Sequence, residues 1–206
     1  MTGMSALLLG FGLGLKHATD ADHVAVVSTL IQRHPGALRA AQIAALWGAG
    51  HTATFLAIGV LILSAGLRVS PDFEKFTALA VAVMLIGFGI WHLVRTLRAQ
   101  ESADSSVVST SAYARPVLVG IIHGLAGSAG IALLATTTIP SKLLALAYLV
   151  LFGAGTVLGM ILLTLLISWP MAWTLRRALG VHRTVSLVAA ALNIFLGVLF
   201  IIEALT

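Results

Sequence analysis

Six apolar stretches, each long enough to cross a bilayer, dictate what this chain can become. A hydrocarbon core of about 30 Å needs roughly 20 mostly apolar residues per helix. Runs of that kind extend from Ser5 to Ile31, Leu38 to Leu67, Phe76 to Val94, Val117 to Ile139, Leu143 to Ser168 and Thr184 to Leu205. Runs of this length must satisfy their own backbone inside lipid, which a helix does, so the expected class is all-α and polytopic. The breaks carry turn chemistry: Arg33-His34-Pro35-Gly36, Ser70-Pro71-Asp72 and Ile139-Pro140-Ser141-Lys142. Between the third and fourth runs, Ala99 to Arg115 is rich in serine and mixed charge and reads as a flexible linker. Trp169 to Arg183, with Pro170 and Arg176-Arg177, is expected to lie along the membrane interface. No basic region precedes the first run, so no cleavable signal peptide is expected.

Charged residues make up 9% of the chain and hydrophobic ones 59%, with a mean hydropathy of +1.06. An ordinary soluble domain, a disordered chain and a nucleic-acid binder are all excluded, since each needs far more polar surface. With no cysteine, a disulfide scaffold and thiol redox relay are excluded as well. The few cations report orientation. Arg33, Arg39, Arg95, Arg98, Arg115, Arg176, Arg177 and Arg183 fall on one side of the expected spans, and Arg68, Lys75 and Lys142 on the other. The basic side is cytoplasmic by the positive-inside rule, which puts both termini outside and the linker inside.

The two halves echo one another. Gly14-Leu15-Lys16-His17 matches Gly120-Ile121-Ile122-His123, and Trp47-Gly48-Ala49-Gly50 matches Phe152-Gly153-Ala154-Gly155. Gly87 and Gly197 form a fainter third echo. Since each unit holds three spans, the second unit must enter the membrane from the opposite side. The expected organisation is therefore a pair of inverted three-helix repeats, residues 1–98 and 116–206, joined by the linker at 99–115. Alternating-access transporters are commonly built this way.

The first span is not uniformly oily, for its middle reads His17-Ala18-Thr19-Asp20-Ala21-Asp22-His23. One carboxylate at the bilayer centre costs about 3 kcal/mol on insertion scales, and here there are two beside two imidazoles. Packing through a salt-bridge network with Lys16 is too weak a return for four ionisable groups in seven residues. On a regular helix His17, Asp20 and His23 share an arc of about 120° while Asp22 points away. All four converge only if the helix is broken, which Gly10, Gly12 and Gly14 upstream would ease. Imidazole and carboxylate together suit first-row divalent ions such as nickel, cobalt or zinc, and the lack of thiolates argues against Cu(I). His51 lies in Gly48-Ala49-Gly50-His51-Thr52 at the depth of His17, and His123 is the repeat partner of His17, so both join the candidate metal-binding set. His92 reads as interfacial, Glu203 as a surface group, and His34 and His182 as loop residues without a role.

HATDADH resembles the His-x4-Asp-His signature of the nickel/cobalt transporter superfamily, whose signature helix runs from outside to cytoplasm, the direction the charges give here. Gly50-His51-Thr52 resembles that family's Gly-His-Ser motif, and Arg115-Pro116 followed by Gly120 resembles its Arg-Pro-x3-Gly start. The likeness implies metal handling by His17, Asp22 and His23, assisted by Asp20 and His51. Compared with the eight helices of classical members, the first and the last are expected to be lacking here. Where those members carry a Phe-Asp-Thr type acidic motif, this chain has His123-Gly124-Leu125-Ala126-Gly127-Ser128, which resembles the short members associated with urease and hydrogenase maturation and leaves His123 as a replacement ligand. The linker has no histidine run of the kind found in some efflux relatives, which points toward uptake.

The expected function is thus a bacterial inner-membrane transporter of nickel or cobalt. It is not an enzyme and needs no cofactor beyond its cargo. Expected partners are the divalent ion, membrane lipid and an accessory protein or metallochaperone, with no nucleic acid. Two other classes use the same residues: an intramembrane zinc hydrolase, which lacks its usual His-Glu-x-x-His signature here, and a proton-coupled exporter of a small solute.

Overall fold

The computed structural model describes residues 3–31, 36–65, 70–98, 111–125, 139, 141–177 and 179–206. Among them the chain forms α1 (Gly3–His17), α2 (Ala21–Leu30), α3 (Ala37–Ala65), α4 (Pro71–Arg98), α5 (Ser111–Leu125), α6 (Lys142–Arg177) and α7 (Leu179–Leu205). Four stretches are long and apolar enough to cross a membrane: α3, α4, α6 as far as Thr174, and α7 from Gly180. The all-helical class expected from the apolar runs is observed, and the chain is a membrane protein. His34, linker residues 99–110 and residues 126–138 of the expected fourth span lie outside the described residues.

Several boundaries differ from those read in the sequence, among them the start of α7 at Leu179 in place of Thr184. The first span is two helices, because the chain leaves α1 after His17 and re-enters helix at Ala21. The linker's last residues belong to α5, whose polar, serine-containing start conceals a helix. α6 does not stop at Ser168 but runs through Pro170 to Arg177. A proline costs one backbone hydrogen bond, and membrane helices tolerate it because neighbouring groups re-satisfy the freed carbonyl. His182, expected in a loop, lies in α7 with its Nδ1 3.4 Å from the Thr174 hydroxyl of α6.

α1 packs on α6, α3 on both α5 and α6, α4 on α7, and α2 against α7. One apolar core gathers Val26, Val27, Trp47, Leu85, Met160 and Leu196, and a second gathers Phe55, Tyr148, Leu149 and Phe152. Leu8, Phe76, Val83, Leu166 and Phe195 point outward, as they should where the solvent is lipid.

Two of the helix crossings are backbone to backbone. A Cβ on Gly14 would overlap the Phe152 carbonyl and one on Gly155 the Phe11 carbonyl, so α1 and α6 meet through reciprocal glycines. The α3–α5 crossing has the same construction: Gly50 lies against the Val117 carbonyl and Gly120 against the Trp47 carbonyl. At α4–α7 the contact is shared with side chains: Gly89 meets Ile194 and the Ala190 carbonyl, and Gly197 meets Ile86 and the Ala82 carbonyl. Gly87, the residue of the sequence echo, faces open space, and Gly89 is the glycine of α4 that packs on α7. Without an aqueous hydrophobic drive between helices, such close approach supplies the dispersion contact that holds them.

A single buried amide ties α2 into this frame. Asn193 of α7 donates from Nδ2 to the Ala25 carbonyl at 2.9 Å and to the Thr29 hydroxyl at 3.0 Å, both on α2.

The crossings make a direct prediction. Gly120→Ala forces a methyl into the Trp47 carbonyl and should cost about 1–3 kcal/mol, seen as a lower melting temperature of the detergent-solubilised protein. Gly12→Ala, at a glycine with open space, should leave that temperature unchanged or raise it.

Candidate metal centre

The break between α1 and α2 builds the centre. Thr19 N–H donates to the Lys16 carbonyl at 2.9 Å and Asp20 N–H to the His17 carbonyl at 3.1 Å, which tightens and ends α1. The Thr19 hydroxyl donates to the Lys16 carbonyl at 2.6 Å. Asp20 is extended (φ −62°, ψ 150°) and stands as N-cap of α2, whose first backbone bond runs from Val24 N–H to the Asp20 carbonyl at 3.1 Å. The extended residue turns α2 so that His23 comes back beside His17, their ring centroids 4.6 Å apart. A regular helix offering His17, Asp20 and His23 is thereby ruled out. Asp22, which such a helix would have turned away, points inward, while Asp20 lies at the half-exposed rim.

Each carboxylate faces imidazole. Asp20 Oδ2 accepts from His17 Nδ1 at 2.9 Å. Asp22 Oδ1 accepts from the His23 backbone N–H at 2.9 Å and from His23 Nδ1 at 3.0 Å, and its Oδ2 accepts from His123 Nε2 at 2.8 Å. An ionised carboxylate has no proton to give, so each of these ring nitrogens is a donor, and in the neutral imidazole the opposite nitrogen of each ring keeps its lone pair. Asp22 also sits in the first turn of α2, where the helix dipole favours its charge. The three accepted bonds make it the hub joining α2 to α5.

His51 from α3 completes the cluster, 5.4 Å from His17, 5.3 Å from His23 and 5.8 Å from His123 between ring centroids. The sequence expectation of a shared depth is thus met in space. His23, His51 and His123 are almost wholly buried. Among the described residues, His23 Nε2, His51 Nδ1 and His123 Nδ1 are buried with no hydrogen-bond partner. Unpaired buried nitrogens of this kind are costly unless something occupies them. The donor atoms form two overlapping groups, each within 4.8 Å: His17, His23 and His51, and Asp22, His23 and His123. Asp20 belongs to neither group and acts on His17 from outside.

Aromatic walls close the cluster. Phe152 lies 5.5 Å from the His17 ring, while Trp47 lies 5.5 Å from His23 and 6.0 Å from His123. Both were legible only as repeat residues; a large ring beside small ones in two glycine-rich motifs was the available signal. Asn193 was missed too, although one amide at the middle of an apolar span is itself a flag. Of the residues set aside, Glu203 is exposed as expected, whereas His92 is buried beside Thr96 and Trp91.

Comparison with known proteins agrees with this chemistry. Residues 3–115 match the NicO family model, described as high-affinity nickel-transport protein. The chain is 35% identical over 184 residues to the urease accessory protein UreH of Bacillus sp. (strain TB-90), covering 84% of this chain and 81% of that protein. It is also 29% identical over 170 residues to the Arabidopsis thaliana chloroplast protein FOR GROWTH AND FERTILITY 1, and 27% identical over 163 residues to FOR GROWTH AND FERTILITY 2. Each of these alignments covers 73% of this chain but only 46% and 44% of the respective plant protein. No solved structure matches the chain.

The hydrogen-bond pattern predicts unequal roles for the two carboxylates even without metal. Asp22→Ala strands two buried imidazole donors and should lower stability by about 1–3 kcal/mol. Asp20→Ala, at the rim, should cost under about 1 kcal/mol; thermal unfolding of the metal-free protein in detergent distinguishes the two.

Proposed function

Because this chain belongs to the NicO family of high-affinity nickel-transport proteins, a family of membrane transporters and not enzymes, we propose that its cargo is held by His17, His23 and His51 at the break in the first span. The observation that carries this reading is the set of lone pairs. His17 and His23 are each fixed by a carboxylate in the tautomer that leaves the outer nitrogen free, the arrangement in which a second-shell acid orients a metal-binding imidazole. Nitrogen-rich donors with no thiolate suit Ni2+ or Co2+. Asp20 and Asp22 then serve as orienting groups, and His123 belongs to the surroundings of the same ion.

In this reading the chain works in the bacterial inner membrane with both termini outside. Residues 1–98 and 116–206 act as inverted halves joined by 99–115, and the cargo passes as they rock. Support for the halves comes from matched contacts. Gly14 against Phe152 corresponds to Gly120 against Trp47, and the His17–Phe152 ring pair corresponds to His123–Trp47. The broken first span, with its polar turn at the centre of the bundle, is a common device of transporter sites. Likeness to a urease accessory protein supports nickel as cargo and a nickel-dependent enzyme or metallochaperone as the recipient.

Accumulation of radioactive nickel and cobalt in cells with and without the protein tests the reading. His23→Ala should abolish accumulation and metal binding, and His17→Ala should weaken nickel affinity at least tenfold. Unchanged affinity in both would refute the site. Since only the neutral imidazole binds, affinity should be full above the histidine range and fall as pH is lowered through it, measurable by calorimetric titration at several pH values.

A further inference from the structure

His23 stands in both donor groups, and its two ring nitrogens differ: Nδ1 is directed at Asp22, while Nε2 is buried without a hydrogen-bond partner among the described residues. We propose that the cluster holds two successive stations for one ion: a first at His17, His23 and His51, and a second at Asp22, His23 and His123. His23 is the ligand common to both. This rests on the reading that the cluster carries Ni2+ or Co2+, and adds to it a path and an order.

The second station has the dimensions of a coordination site. Donors at right angles, each about 2.1 Å from a divalent transition metal, lie about 3 Å apart. Asp22 Oδ1 to His23 Nδ1 is 3.0 Å and Asp22 Oδ2 to His123 Nε2 is 2.8 Å, with the two imidazole centroids 4.3 Å apart. Protons now occupy those short contacts where an ion would replace them. The proton balance closes within the rings. When the ion leaves His23 Nε2 for Nδ1, the displaced Nδ1 proton is taken up at Nε2. On His123 the displaced Nε2 proton is taken up at Nδ1, which is buried and unpartnered. Asp22 trades two hydrogen bonds for a metal bond, so it changes from orienting group to ligand as the ion moves.

The stations exclude one another, because each uses the His23 nitrogen whose proton the other requires. One ion is therefore present at a time, and its transfer exchanges ligands of α1 and α3 for one of α5, the second half's His123, while α2 holds it throughout. His123, absent from the first station, is needed for passage and not for capture.

Purified protein titrated with Co2+ alone, and the same variants assayed for nickel accumulation in cells, test this. Wild type should bind one Co2+ per chain. His123→Gln retains a donor where Nε2 stood but is a poor metal ligand; it should bind Co2+ within about threefold of wild type and lose at least tenfold in transport rate. His51→Ala should still bind one Co2+, with a shifted visible absorption because the ion rests at the second station. Normal transport by His123→Gln, loss of Co2+ binding in that variant, simultaneous binding of two ions, or no bound Co2+ in His51→Ala would each overturn the two-station path. Melting temperatures of both variants within a few degrees of wild type confirm that they fold, and the His51→Ala spectrum decides the matter if His123→Gln does not. Should His23→Ala bind and transport normally, the metal reading itself falls; should it fail while His123→Gln transports normally, only the second station falls.

Discussion

Ionisable groups in a membrane core survive only when their charges and protons are matched, and that requirement shapes the whole first span. One extended residue, Asp20, bends the span so that Asp22 meets His23 and His123 while Asp20 itself bonds His17 at the rim. Had the helix continued regularly, Asp22 would face away from His17 and the apolar bundle would surround an unpaired charge. The break is thus the cheapest solution available to a chain carrying HATDADH in oil. It also directs a helix N-terminus, and the favourable dipole there, toward Asp22.

The rest of the fold can be understood as support for that break. A helix of ten residues such as α2 is too short to hold itself in place. Asn193 grips it through a carbonyl and a hydroxyl, and Val26 and Val27 anchor it in the core shared with Trp47 and Met160. Trp47 serves two ends: its backbone carbonyl receives Gly120, while its ring closes the wall beside His23 and His123. Small residues at the crossing therefore fix the distance at which His51 and His123 face the first span.

Much of this was legible in the sequence, and what was not has physical causes. Apolar run lengths reveal spans because lipid permits few alternatives, and polar residues within them reveal a site because their burial is costly. His17, Asp22, His23, His51 and His123 could all be named that way. The division of labour between Asp20 and Asp22 could not, because it depends on one ψ angle that neither periodicity nor composition encodes. Pro170 misled for a related reason: its intrinsic tendency to end helices is overridden where surrounding helices re-satisfy the backbone. Gly87 and Gly89 are indistinguishable as letters and differ only in which face meets α7. Asn193 was invisible to motif reasoning, since a single amide has no pattern.

At the α1–α6 and α3–α5 crossings, the reciprocal glycines Gly14, Gly155, Gly50 and Gly120 lie on backbone atoms of the facing helix. Ridges that mesh resist relative motion, because each must climb over its neighbour; bare main chains present smooth surfaces. In the rocking of the two halves proposed above, joints of this kind would act as bearings, keeping the axes close while one main chain swivels on the other.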